Sequence, residues 1–265
     1  MFKKLIPIIF ILSLLLTSCS TNKGNVSILS DTKDSTQASL NTQASILSPT
    51  RDMGKEYIDS FIFLGESTTY HLKCRGVLSG GTETLQVWGP KSGTLMLDPS
   101  TASCRVVYPE TGEEIDVSEA IKRKKPKYIL LTFGLNGATK SISKGEQYFK
   151  ECYRKLIDTL SSSSPETTVI LQSCFPISKN MDMSNYTVSV STLNQYIDTI
   201  NEWTSQLAQE LSIAYLNTSE ILKDKDGYLF ESYQVGDGYH LSTEAYTKIL
   251  DYIRTHGHPK EDSNA

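Results

Sequence analysis

The sequence predicts an α/β fold, a three-layer α/β/α sandwich with a central parallel sheet of about five strands. Two observations lead there. Short apolar runs bounded by turn residues alternate along the chain with segments of helical hydrophobic spacing, which builds a parallel sheet with helices on both faces. Once an apolar leader, the polar stretch behind it and a polar tail are set aside, roughly 200 residues remain, enough for a single core of this kind.

The elements follow in order. Phe61-Ile62-Phe63-Leu64 is an apolar run broken by Gly65, a buried strand turning sharply at its end. Gln86-Val87-Trp88 closes a second strand over 84–88. Residues 105–115, with Pro109-Glu110-Thr111-Gly112 as the turn, read as a hairpin inserted after it. A helix is expected at 117–124. The run from Tyr128 to Phe133 predicts a strand over 127–133 ending at Gly134, and a helix is expected at 144–163. Thr168-Val169-Ile170-Leu171 predicts a strand over 167–173. In the expected helix 189–211, Leu193, Tyr196, Ile197, Ile200, Trp203, Leu207 and Leu211 recur at helical spacing. That stripe is a core face rather than a sugar platform, so Trp203 is given no ligand role. A strand at 212–216 and a helix at 242–255 complete the alternation.

Within this frame three distant segments supply complementary chemistry. A serine hydroxyl needs an imidazole to take its proton, and the imidazole needs a carboxylate to hold its tautomer. Ser67, His240 and Asp237 can fill those roles. The tetrahedral intermediate needs donors aimed at its oxyanion, and Asn136 can offer its side-chain amide beside the Ser67 backbone N–H. Ser67 and Asn136 each follow the carboxyl end of a predicted strand, the edge at which parallel sheets bind ligands. Taken singly, each segment has a plainer reading. Ser67, Thr68 and Thr69 could cap the next helix, and Asn136-Gly137 and Asp237-Gly238 are ordinary turn dipeptides.

Taken together, Gly65-Glu66-Ser67, Ser92-Gly93-Thr94, Gly134-Leu135-Asn136 and Asp237-Gly238-Tyr239-His240 resemble the four blocks of the SGNH hydrolases, the GDSL esterase/lipase family. The resemblance spans about residues 58–255. It implies a flavodoxin-like SGNH hydrolase fold and a catalytic triad of Ser67, Asp237 and His240. It also implies an oxyanion hole built from Ser67, Gly93 and Asn136, with Gly89 as the alternative to Gly93. Neither cofactor nor metal is implied. Glu66 stands where the family usually has Asp, Thr68 where Leu is usual, Trp88 where Asn is frequent, and Gly137 where Asp is frequent. An α/β-hydrolase is disfavoured, because Thr69 replaces the second glycine of Gly-x-Ser-x-Gly and Asp237 lies only three residues before His240.

The implied activity is hydrolysis of small acyl esters, with acetyl groups on cell-wall or other carbohydrate as the favoured substrate. An acyltransferase or lysophospholipase using the same triad, or a wall-binding protein without catalysis, remain the alternatives. Tyr70, His71 and the loop from Phe175 to about Thr187 are candidates for shaping substrate choice.

The ends of the chain suggest where the reaction happens. Lys3 and Lys4 precede an apolar run from Leu5 to Leu16, the pattern of a signal peptide over 1–18. Leu16-Thr17-Ser18-Cys19 resembles the bacterial lipobox, which makes Cys19 the expected lipidation site and membrane anchor. Residues 19–55 are polar and nearly free of aromatic side chains, as expected of a flexible tether. The catalytic domain is expected at 56–258 and a polar tail at 259–265. The protein would then sit on the outer face of the cytoplasmic membrane, at the cell surface. Without residues 1–18 the chain carries 24 basic and 30 acidic side chains, a net charge of −6 that disfavours nucleic acid as partner. Cys74, Cys104, Cys152 and Cys174 are expected to be free thiols, and no Cys or His spacing suits zinc.

Overall fold

The computed structural model describes residues 46–259. The expected signal peptide, Cys19, most of the expected tether and all but the first residue of the tail lie outside the described residues.

The chain begins with a short helix α1 (Gly54–Asp59) and then strand β1 (Phe61–Gly65), helix α2 (Ser67–Cys74) and strand β2 (Val87–Trp88). A hairpin of β3 (Arg105–Val107) and β4 (Glu114–Asp116) leads into helix α3 (Val117–Lys124). Strand β5 (Tyr128–Thr132), helices α4 (Ala138–Lys144) and α5 (Glu146–Ser163) and strand β6 (Thr168–Gln172) follow. Helix α6 (Val190–Leu211), strand β7 (Ala214–Leu216) and helix α7 (Thr243–Thr255) complete the order.

The five strands β1, β2, β5, β6 and β7 form one parallel sheet in the order β2-β1-β5-β6-β7. The register is set by side-chain alternation, which sends successive residues to opposite faces. Ile62, Leu64, Ile129, Leu131, Val169 and Leu171 pack with α3, α5 and α6 on one face. Phe61, Phe63, Tyr128, Leu130 and Ile170 pack with α1, α2 and α7 on the other. This is the expected three-layer sandwich. Because β1 connects outward to β2 and the chain then returns to β5 on the other side of β1, the order reverses between β1 and β5. Ligands bind outside the carboxyl ends of strands at such a reversal.

Two parts differ from expectation in extent. The edge strands are shorter than 84–88 and 212–216, because β2 pairs only over Val87 and Trp88, and β7 over Ala214–Leu216. Residues 46–55, read as the end of a tether, are folded onto the domain. Ile46 bridges Tyr215, Leu47 is 5 % exposed with its N–H on the Tyr215 carbonyl at 2.9 Å, and the Met53 N–H reaches the Arg254 carbonyl at 2.9 Å. The described residues ahead of 56 thus pack against the domain.

Candidate active site

Ser67 is the first residue of α2, delivered by an abrupt turn from β1. Gly65 makes that turn possible: a Cβ there would sit 2.3 Å from both the Thr132 carbonyl oxygen and Thr69 Oγ1. Only glycine tolerates such an approach. Glu66, in extended conformation, occupies the helix-cap position but makes no side-chain cap. Its side chain instead crosses to the end of β5.

The Glu66 carboxylate accepts three backbone N–H groups, from Gly134 at 2.8 Å, Leu135 at 3.1 Å and Asn136 at 3.0 Å. It thereby ties the segment carrying Asn136 to the nucleophile turn. Glu66 is 2 % exposed, and burial raises its carboxyl from 4.5 to about 7, against the opposing pull of the three N–H donors. One methylene longer than the Asp usual in the family, the Glu66 side chain reaches from the turn after β1 to the end of β5 and satisfies these three donors.

The Asp237–His240 segment comes from the loop before α7. His240 Nε2 lies 2.9 Å from Ser67 Oγ, and His240 Nδ1 lies 2.6 Å from Asp237 Oδ2. Asp237 Oδ1 accepts the backbone N–H groups of His240 at 2.9 Å and Tyr239 at 3.1 Å. Burial pushes the Asp237 carboxyl upward, but these donations and the imidazole outweigh it and hold the carboxyl below its usual range. The aspartate is therefore an ionised partner that fixes the imidazole tautomer.

Neighbouring elements brace this loop. The Ser178 N–H donates to the Gly238 carbonyl at 2.7 Å, so the segment after β6 supports the turn between Asp237 and His240. Arg75 Nε donates to the Leu241 carbonyl at 3.1 Å from the end of α2. The His71 ring stacks on His240 with centroids 4.0 Å apart and 19° between planes, and the Tyr239 ring lies 4.1 Å from His240 at 42°. Burial, together with the neighbouring His240 and Arg75, lowers His71 from 6.5 to about 4, so it packs against the base as a neutral ring.

The oxyanion donors show a different arrangement from expectation at one position. Asn136 Nδ2 donates to the Leu95 carbonyl at 2.9 Å and to Thr94 Oγ1 at 2.8 Å, and the Ser67 N–H donates to Thr94 Oγ1 at 3.1 Å. Ser67 and Asn136 thus converge as the sequence suggested. Gly93 does not join them: its N–H donates to the Pro90 carbonyl at 2.9 Å, inside its own turn. A tight turn with φ of +76° turns that amide inward, and the group this loop offers to the site is the Thr94 hydroxyl. Gly89, the alternative, uses its carbonyl to accept the Val107 N–H at 2.8 Å.

Sequence reasoning left Glu66 and Thr94 without a role and gave His71 only that of shaping substrate choice, whereas the structure sets all three against the predicted site residues. Each lay inside or beside a motif, but its partners are supplied by other parts of the chain. Cys174, by contrast, is buried beside Glu66, and burial raises its thiol well above the usual range, which suits a packed group rather than a nucleophile. Cys74, Cys104 and Cys152 are also free. Trp203 packs against Phe149 at 5.9 Å, as expected of a core face.

Comparison with known proteins agrees with this architecture. The family model for GDSL-like lipases/acylhydrolases matches residues 63–248. A Streptococcus pneumonia protein provisionally described as a platelet activating factor is similar in structure. It shares 15 % identity at a TM-score of 0.50, over 84 % of this chain and 91 % of that one. A GDSL-like lipase from Bacteroides thetaiotaomicron is similar at 13 % identity and a TM-score of 0.46, over 84 % of this chain and 95 % of that one. An acetylxylan esterase from Geobacillus stearothermophilus, solved as a catalytic mutant, is similar at 15 % identity and 0.42, over 74 % and 93 %. Among curated proteins, none is matched by the sequence. The family match covers most of the domain built above, from β1 into the last helix, and the chain belongs to the GDSL-like lipase/acylhydrolase family of ester-hydrolysing enzymes.

Proposed function

We propose that this chain is a serine esterase that removes small acyl groups, acetyl foremost, from carbohydrate through an acyl-Ser67 intermediate. The observation that carries the reading is the continuous relay from Ser67 Oγ to His240 Nε2 at 2.9 Å and from His240 Nδ1 to Asp237 Oδ2 at 2.6 Å. In this reading Ser67 Oγ attacks the acyl carbonyl as His240 takes its proton. The oxyanion is held by the Ser67 N–H and Asn136 Nδ2, and the alcohol leaves with the proton from His240. Water then enters by the same route in reverse roles and frees the acid. Asp237 stabilises the imidazolium throughout.

The substrate class rests on location. The signal-like start and Cys19 favour a protein anchored at the outer face of the cytoplasmic membrane, where acylated wall glycans are within reach. A fluorophosphonate probe tests the chemistry. Peptide mass spectrometry is expected to find its adduct on Ser67 alone, with Ser67→Ala and His240→Ala folded, unlabelled and inactive. Turnover retained by Ser67→Ala overturns the reading. Release of acetate from acetylated glycans, measured against release of fatty acid from lysophospholipid, tests the substrate class.

A further inference from the structure

The two donors expected to hold the oxyanion are already engaged, and by the same atom. Thr94 Oγ1 accepts the Ser67 N–H at 3.1 Å and the Asn136 side-chain N–H at 2.8 Å. A point at hydrogen-bonding distance from both donors is where an oxyanion must sit. We infer that the Thr94 hydroxyl is the resting occupant of the oxyanion hole, which pairs both donors in the free enzyme and yields its place to the acyl oxygen. The inference rests on the serine-esterase reading for its catalytic meaning, though the occupancy itself is a matter of geometry.

The surroundings show how the exchange works. The backbone of the loop is anchored: the Gly93 N–H is held by the Pro90 carbonyl, and the Gly93 α-carbon lies so close to the Tyr70 ring that a Cβ would sit 3.3 Å from it. The second proton of the Asn136 amide is held by the Leu95 carbonyl at 2.9 Å, so the donor keeps its aim when the first is released. The Thr94 side chain is exposed, and its own donation, to the Leu95 carbonyl, is long at 3.3 Å. Rotation about the Thr94 Cα–Cβ bond therefore clears the hole without moving the loop. Two donors that would otherwise face the site unpaired keep a partner until an acyl oxygen arrives.

Replacing the hydroxyl removes a tethered competitor. Thr94→Ala is expected to raise kcat/KM and the rate of fluorophosphonate labelling about 3- to 10-fold, the factor that one net hydrogen bond represents. Thr94→Ser, which keeps the hydroxyl, is expected to stay near the wild-type rates. An unchanged or lower rate in a folded Thr94→Ala protein overturns the inference, and a lower rate would make the hydroxyl a donor in the transition state. Occupancy is read separately from the NMR signals of the Asn136 side-chain amide, assigned by their loss in Asn136→Ala. These signals are expected to shift in Thr94→Ala and to be restored in Thr94→Ser, and no shift overturns the inference. An absent Ser67 adduct in the wild type would instead sink the esterase reading, leaving the NMR result to decide the role of Thr94.

Discussion

Replacing Glu66 by Gln sets two physical effects against each other at one atom. The side chain is 2 % exposed and accepts N–H groups from Gly134, Leu135 and Asn136. Burial disfavours its charge and the three donors favour it, and burial wins: the carboxyl rises from 4.5 to about 7. A carboxyl raised in the folded state favours folding when protonated. That contribution is complete below about 4.5, falls away as pH rises through about 7, and is absent above. Glutamine has the shape of the protonated acid and never ionises. Between pH 5 and pH 8 the stability of Glu66→Gln relative to the wild type is therefore expected to rise by on the order of 3 kcal/mol, from the shift at about 1.4 kcal/mol per pKa unit, on top of a pH-independent cost of its mispaired amide. Its activity should move the other way. An amide cannot accept at both positions, so its NH2 group faces the Leu135 N–H, the Asn136 segment loosens, and kcat/KM falls about 10- to 100-fold. Urea denaturation at pH 5, 6, 7 and 8, with ester hydrolysis on the same samples, measures both. If the wild type instead gains on the variant as pH rises, the three N–H donors outweigh burial and the reasoning fails.

Asn136→Ala removes one oxyanion donor and is expected to lower kcat about 100- to 1,000-fold with little change in stability; a loss below 10-fold in an ester assay would remove Asn136 from the role. His71→Phe keeps a ring against His240 but abolishes a half-buried imidazole whose folded-state value is lowered to about 4. The wild type is expected to lose stability as pH falls from about 6.5 toward 4, the phenylalanine variant less so, and equal losses of Tm between pH 7 and pH 4.5 would refute the assignment. Gly238→Ala places a Cβ 2.6 Å from the Met181 α-carbon at a φ of +88°. It should cost about 2–4 kcal/mol in denaturant titrations and displace His240; a loss under 1 kcal/mol would show that the Asp237–His240 turn is not braced from behind.

How far the sequence could be read follows the range of each interaction. Strands β1, β5 and β6 were legible because each is a continuous apolar run buried on both faces, as parallel strands must be. Strand β2 was drawn too long because Leu85 and Gln86 bend ahead of it, with the Gln86 amide used on the Ile58 and Phe61 carbonyls. Helix α4, Ala138–Lys144, went unread because it buries only Ala138 and Ser141. At the site, residue types and order were enough to nominate Ser67, Asn136, Asp237 and His240. The aim of a hydroxyl was not. Thr94 meets Ser67 across 27 residues and Asn136 across 42, and Glu66 meets the Asn136 segment across about 70. No local pattern encodes such meetings, and no motif reveals that the Gly93 amide turns toward Pro90.

The way the chain enters the domain has a mechanical meaning. Leu47 is bonded to β7, while Thr50 and Met53 are bonded to Thr255 and Arg254, where α7 ends. The other end of that helix starts beside His240, so these attachments sit a helix length from the triad. A pull arriving through the residues before Ile46 would load the β7 flank and the last turn of α7 first, while the turns after β1 and β5 that carry Ser67 and Asn136 stay off the line of force. Under the proposed anchoring through Cys19, a load would thus reach these attachments ahead of the catalytic geometry.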